Sequence, residues 1–148
     1  MPRPRPIVWF ALAWAAYIVS MALPVLDPLG DVFPGLWGWQ AWLRSYRALA
    51  GPLLEPETSY SWWDLEAFLY FWPNTVMLLS PLIVACRPAW AAKRWILLPS
   101  AAALIIATLP LRSADELRSG YWVWLISMVA LVMGIWALRG QTASRSPG

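Results

Sequence analysis

Glu66, Tyr70 and Asn74 recur at i, i+4 and i+8 within the otherwise apolar stretch from Asp64 to Cys86, so they share one face of a helix. A carboxylate, a phenol and an amide in line can do two kinds of work. They can carry an ion or a polar substrate along the helix face. Alternatively, they can tie the helix to its neighbours, because polar groups in an apolar setting are costly unless paired. In the second case Asn74 bonds a neighbouring helix or a carbonyl freed by Pro73, and Glu66 pairs with Arg112 or Arg118.

No other set of side chains suggests reactivity. Histidine is absent, which removes the commonest general base, haem ligand and metal ligand. The single cysteine, Cys86, excludes an intramolecular disulfide and a dithiol pair. Neither HExxH nor GxSxG occurs, and no carboxylate lies deep in an apolar run, where a proton-coupled exporter would need one. We therefore expect no catalytic residue, no metal site and no cofactor, and read the chain as a non-enzyme.

Composition sets the stage for that polar line. Of 148 residues, 60% are hydrophobic and 13% charged, too little charge for an ordinary soluble domain, so a membrane class leads. A net charge of +3 would point to nucleic-acid binding were the basic residues gathered on one face; they are scattered between apolar runs and mark topology instead. No nucleic-acid partner is expected.

Residues 7–26 form an uncharged run long enough to cross about 30 Å of hydrocarbon. Ser20 and Ala22 also suit a signal-peptide cleavage site, but the run exceeds a usual h-region and Pro24 follows at once, favouring a retained anchor. Further spans are expected over 64–86, entered through Trp62 and Trp63 and interrupted by Pro73 and Pro81, over 95–111, and over 121–138, opened by Tyr121, Trp122 and Trp124. A basic connection, RPAWAAKRW, and a turn, RSADELRSG, join them. Residues 140–148 read as a disordered tail. With no repeat in evidence, the chain is one membrane domain, 1–148.

The stretch PGLWGWQAWLRSYRALAGP, Pro34–Pro52, is of another kind. Leu36, Trp39, Leu43, Tyr46 and Ala50 fall on one stripe, with Trp42 and Leu49 beside it, and Gln40, Arg44 and Arg47 on another. That is an amphipathic helix over 36–50, stopped by Gly51 and Pro52. Trp37, Trp39, Trp42, Arg44 and Arg47 suit contact with a bilayer interface, indoles at headgroup depth and guanidinium groups on water or phosphate. The fold class is thus an all-α membrane protein of four transmembrane helices and one external interfacial helix.

Charge orients it. Arg3, Arg5, Arg87, Lys93, Arg94, Arg139 and Arg145 fall on one side of the four spans, and all eight acids on the other. The positive-inside rule then puts both termini in the cytoplasm and the interfacial helix outside. Small-residue pairs, Ala11 with Ala15, Ala103 with Ala107, and Ala130 with Gly134 preceded by Ser127, suggest packing within the bundle.

The segments YIVSMALPVL, GLWGWQAWL, YFWPNTVMLLSPLIV and GYWVWLISMVALVMG together resemble a group of uncharacterised bacterial four-span inner-membrane proteins. In those a GWQA-type stretch follows the first span and a GYxxWL-type element opens the last. At the second span this chain reads Trp72-Pro73-Asn74, proline before asparagine, whereas the group has an aromatic-Asn-Pro element. The resemblance implies a bacterial inner-membrane location and no particular activity. The expected function is structural or accessory, through helix packing and the outer aromatic helix. Its partners are the lipid bilayer and another membrane protein or a second copy. The alternative is transport or lipid handling along the Glu66, Tyr70, Asn74 line.

Overall fold

A computed structural model describes residues 5–26, 35–54, 62–86 and 94–143, and among them the chain is mostly helical. Helix α1 spans Pro6–Met21. Pro6 sits in its first turn, where a missing N–H is harmless and the fixed φ already suits the helix. The helix ends short of residue 26, because Pro24 cannot continue it and disfavours helical backbone at Leu23.

Pro24–Leu26 instead forms a strand, β1, antiparallel to β2, Leu36–Trp37, with Pro24 opposite Trp37 and Leu26 opposite Leu36. The other edge of β1 is held by a bridge from Leu26 to Leu117 and by the Arg118 N–H, which donates to the Val25 carbonyl at 2.9 Å. The all-α expectation is corrected by this small sheet. It arises because the prolines and glycines that break helices at this end leave backbone groups that must pair elsewhere.

Helix α2 spans Gly38–Leu54. It starts later than expected because Leu36 and Trp37 are committed to β2, and it runs through Gly51 and Pro52, a proline removing one hydrogen bond without ending the helix. Helix α3, Trp62–Cys86, contains Pro73 and Pro81, and α4, Arg94–Ala107, contains Pro99. A 3-10 segment, Leu109–Glu116, occupies most of the expected turn, and α5 covers Ser119–Ala143. The tail expectation is therefore corrected for residues 140–143, which are helical; residues 144–148 lie outside the described residues.

The four apolar helices alternate in direction. Gly134 of α5 meets Phe10 of α1, and Gly120 meets Leu23 and Pro24, so α1 and α5 are antiparallel. Trp14 reaches Ser80 and Tyr17 reaches Asn74, so α1 and α3 are antiparallel too. The core between them is built from Phe10, Ala13 and Tyr17 of α1, Met77 of α3, Ile96 and Ala107 of α4, and Met128, Ala130, Leu131 and Ile135 of α5. Helix α2 packs mainly on α3.

Two of these helices, α3 over Leu69–Cys86 and α5 over Ser119–Gln141, are long and apolar enough to cross a membrane. The other two are apolar but shorter, so the expected four full-length spans are met in length by two. With 16 residues in α1 and 14 in α4, their axes are about 24 and 21 Å long. Ala103, Ala107, Ser127, Ala130 and Gly134 are buried as packing sites, whereas Ala11 and Ala15 are exposed and Ala13 makes the contact instead. The α1 face toward α5 is set by Phe10, Ala13 and Tyr17, which leaves the alanine pair on the outside.

Candidate functional site

The centre of the bundle is a polar junction built on Asn74, itself 5% exposed. Its carbonyl oxygen accepts two hydrogen bonds, from the Tyr17 hydroxyl at 3.3 Å and from the Trp124 indole N–H at 3.2 Å. Its amide N–H groups donate to the Tyr70 carbonyl at 3.0 Å and to Ser45 Oγ at 3.4 Å. Both donors and both lone pairs of the amide are thus used. The amide's orientation follows from Trp124: an indole N–H can only donate, so it must face the amide oxygen.

Each partner comes from a different element: Tyr17 from α1, Ser45 from α2, Tyr70 from α3 itself and Trp124 from α5. Tyr70 lies one turn before Asn74, across the position where Pro73 lacks an N–H, so the amide reinforces the helix beside its break. Ser45 is fully buried and its hydroxyl donates to the Trp42 carbonyl at 2.7 Å. Nearby, the Trp14 indole donates to Ser80 Oγ at 3.2 Å, a second polar link between α1 and α3.

Aromatic rings surround the junction. Trp42 and Tyr46 lie 4.7 Å apart, Tyr46 meets Phe71 edge-on at 5.0 Å, and Tyr70 meets Trp124 edge-on at 6.3 Å. Such geometry favours aromatic pairs beyond the area they bury. The Tyr46 hydroxyl is buried without a hydrogen-bond partner among the described residues, a local penalty of roughly 1–3 kcal/mol.

Of the expected polar line, Asn74 therefore forms the hub and Tyr70 supplies a carbonyl and a ring. Glu66 lies two turns earlier on α3, and its side chain, like that of Arg112, is outside the described residues. The interfacial set divides. Trp37 and Trp39 are 50% and 53% exposed and Arg47 is exposed, while Trp42 turns inward against the core and Arg44 is half-buried and engaged. The stripe from Leu36 to Ala50 is corrected accordingly. Tyr46 packs on Phe71, and the face of α2 against the bundle runs through Gly38, Trp42, Ser45 and Tyr46, because α2 lies against α3 on that side.

Sequence reasoning did not single out Tyr17, Ser45 or Trp124 as junction residues. Tyr17 was the accessible one, a phenol in the middle of an uncharged run, which must find a partner there. The groups of the junction are neutral and satisfied by one another, so what the arrangement accomplishes chemically is to cross-link four helices. No protein family, curated protein or solved structure matches this chain.

Proposed function

We propose that the chain is a multi-pass protein of a bacterial inner membrane with a structural or accessory role, in which all four apolar helices cross the bilayer and α2 lies on its outer surface. One observation carries this reading: the bundle is apolar on its outside, while several of its small polar side chains are buried inside. Ile7 and Ile18 of α1, Leu82 of α3, Leu98 and Ile105 of α4 and Trp136 of α5 are 60–71% exposed, while Ser20, Asn74, Ser80, Ser100 and Ser127 are 6% exposed or less. In water such a belt would drive aggregation. In hydrocarbon it is solvated, and the serine hydroxyls answer the need to satisfy polar groups internally.

The inversion covers α1 and α4 as fully as the two longer helices, which supports crossing by all four. Their shortness is accommodated by local thinning of the bilayer, at a fraction of a kcal/mol per Å of mismatch. At one end of the bundle the half-exposed Trp37 and Trp39 suit the headgroup layer. Seven of the eleven basic residues, Arg3, Arg5, Arg87, Lys93, Arg94, Arg139 and Arg145, fall in sequence on one side of the four crossings, which by the positive-inside rule supports cytoplasmic termini. With a junction that fixes the helices rather than opening a path, the outward-facing tryptophans and the bilayer-facing belt are the surfaces left for a membrane partner or a second copy.

Cysteine accessibility tests the topology. In a Cys86→Ser background, Arg47→Cys should react with an impermeant maleimide added outside intact spheroplasts, and Gly140→Cys only after the inner membrane is opened. Reaction of both sites from the same side would overturn the four-crossing arrangement.

A further inference from the structure

The gap between α3 and α4 is not filled by side chains. A groove of about 190 Å³ lies there, floored by Phe10, Ile96, Leu131 and Ile135 and rimmed by Trp72 and Leu79. The floor residues are 8% exposed or less, while Leu79 and Trp72 are 48% and 40% exposed. Prolines interrupt both walls, Pro73 and Pro81 on α3 and Pro99 on α4, which keeps two helices from packing straight against each other. The Trp72 indole donates to the Pro99 carbonyl at 3.2 Å and latches the walls at that level.

The groove offers nothing to a polar ligand. Its hydroxyls are engaged by their own helices: Thr75 donates to Phe71 O at 2.8 Å, Ser80 to Met77 O at 2.8 Å and Ser100 to Ile96 O at 3.0 Å. An apolar cavity of roughly 150 Å³ stays dry and takes up benzene, and this one is larger. It opens sideways onto the faces of α3 and α4 that expose Leu79, Leu82 and Leu98, so bilayer hydrocarbon covers its mouth.

Charge identifies which lipid. Where α3 ends at Cys86 and α4 begins at Arg94, the charged residues described at that end of the bundle are all basic. Arg5 is exposed at the start of α1, Arg94 opens α4, and Arg139 follows Ile135 by one turn on α5. The acids among the described residues, Asp64, Glu66, Asp115 and Glu116, lie on segments at the opposite end. We infer that the groove holds one acyl chain of an anionic phospholipid from the leaflet at the basic end, its phosphate drawn to those cations. This rests on the membrane reading above.

Native mass spectrometry of the full-length chain in mild detergent tests it, with phosphatidylglycerol and phosphatidylcholine of identical acyl chains offered together in equal amounts. The wild type should retain one phosphatidylglycerol per chain, favoured about tenfold or more over phosphatidylcholine. Val76→Phe, which fills the groove, should abolish retention, Leu98→Phe on the outer face should not, and Arg139→Gln should lower the preference. Equal retention of the two lipids by the wild type would overturn the proposal without recourse to any variant, as would undiminished retention by a folded Val76→Phe chain. Release of the wild-type chain from membranes by alkaline carbonate would instead refute the membrane reading, whereas an embedded chain that retains no lipid refutes the groove alone.

Discussion

Replacing Asn74 by leucine should destabilise the folded chain by roughly 2–4 kcal/mol, because two buried donors lose their acceptor at once. Leucine keeps the branching and the number of side-chain heavy atoms of asparagine, with bulkier methyl groups at the tips, so the loss reports chiefly hydrogen bonding. The Tyr17 hydroxyl and the Trp124 indole N–H both donate to the Asn74 carbonyl oxygen. Ser45 keeps its bond to the Trp42 carbonyl, which limits the effect on α2. Trp124→Phe removes one donor and leaves the amide oxygen satisfied by Tyr17, so it should cost less, about 0.5–1.5 kcal/mol. Equilibrium denaturation in mixed micelles measures both, and a double-mutant cycle should show coupling between the two positions. An Asn74→Leu change of less than about 0.5 kcal/mol, below the average for interhelical hydrogen bonds in membranes, would mean that the junction does not hold the helices together.

Gly38→Ala should be worse than its size suggests, with a loss of roughly 3 kcal/mol or more, at the upper end for overpacking. The start of α2 crosses the end of α1 so closely that a Cβ at position 38 would collide with the Ser20 carbonyl oxygen and lie 2.8 Å from the Met21 Cα. These are backbone atoms, and the Gly38 N–H also donates to Leu23 O at 2.9 Å, so neither chain can yield without breaking the corner. Gly134→Ala makes the contrast. There a Cβ would meet the Phe10 ring at 3.0 Å, a side chain that can turn, and a loss of about 1 kcal/mol is expected. The same denaturation experiment should rank Gly38→Ala well below Gly134→Ala, and equal effects would show that the α1–α2 corner is not rigid.

Much of the fold was legible in the sequence. Long apolar runs announce the helices and the polar spacing of Tyr70 and Asn74 identifies the face of α3 that turns inward, but the spans expected over 7–26 and 95–111 run past Pro24 and Pro110, short of which α1 and α4 end. Other features depend on tertiary pairing, which local pattern does not encode. The strand at Pro24–Leu26 exists because Leu36–Trp37 and Leu117 supply partners from distant parts of the chain. Periodicity grouped Tyr46 with Trp39, yet one packs on Phe71 and the other is exposed, since apolar character alone does not distinguish a face toward a neighbouring helix from a face toward lipid. For the same reason an asparagine read as making a single helix contact proved to have four partners. Their positions, at Tyr17, Ser45, Tyr70 and Trp124, span most of the chain.

The central claim is that α1 and α4, although short, cross the bilayer alongside α3 and α5. Nitroxide labels at Ile18 and Leu98, two of the most exposed positions on those helices, can be read in lipid nanodiscs by their relaxation with oxygen and with a water-soluble nickel complex. Oxygen partitions into hydrocarbon and the nickel complex into water. We expect both labels to be accessible to oxygen and shielded from nickel, matching a control at Leu82 on α3. Collision with nickel at Ile18 or Leu98, with Leu82 still shielded, would show that only the two longer helices cross and would contradict the account.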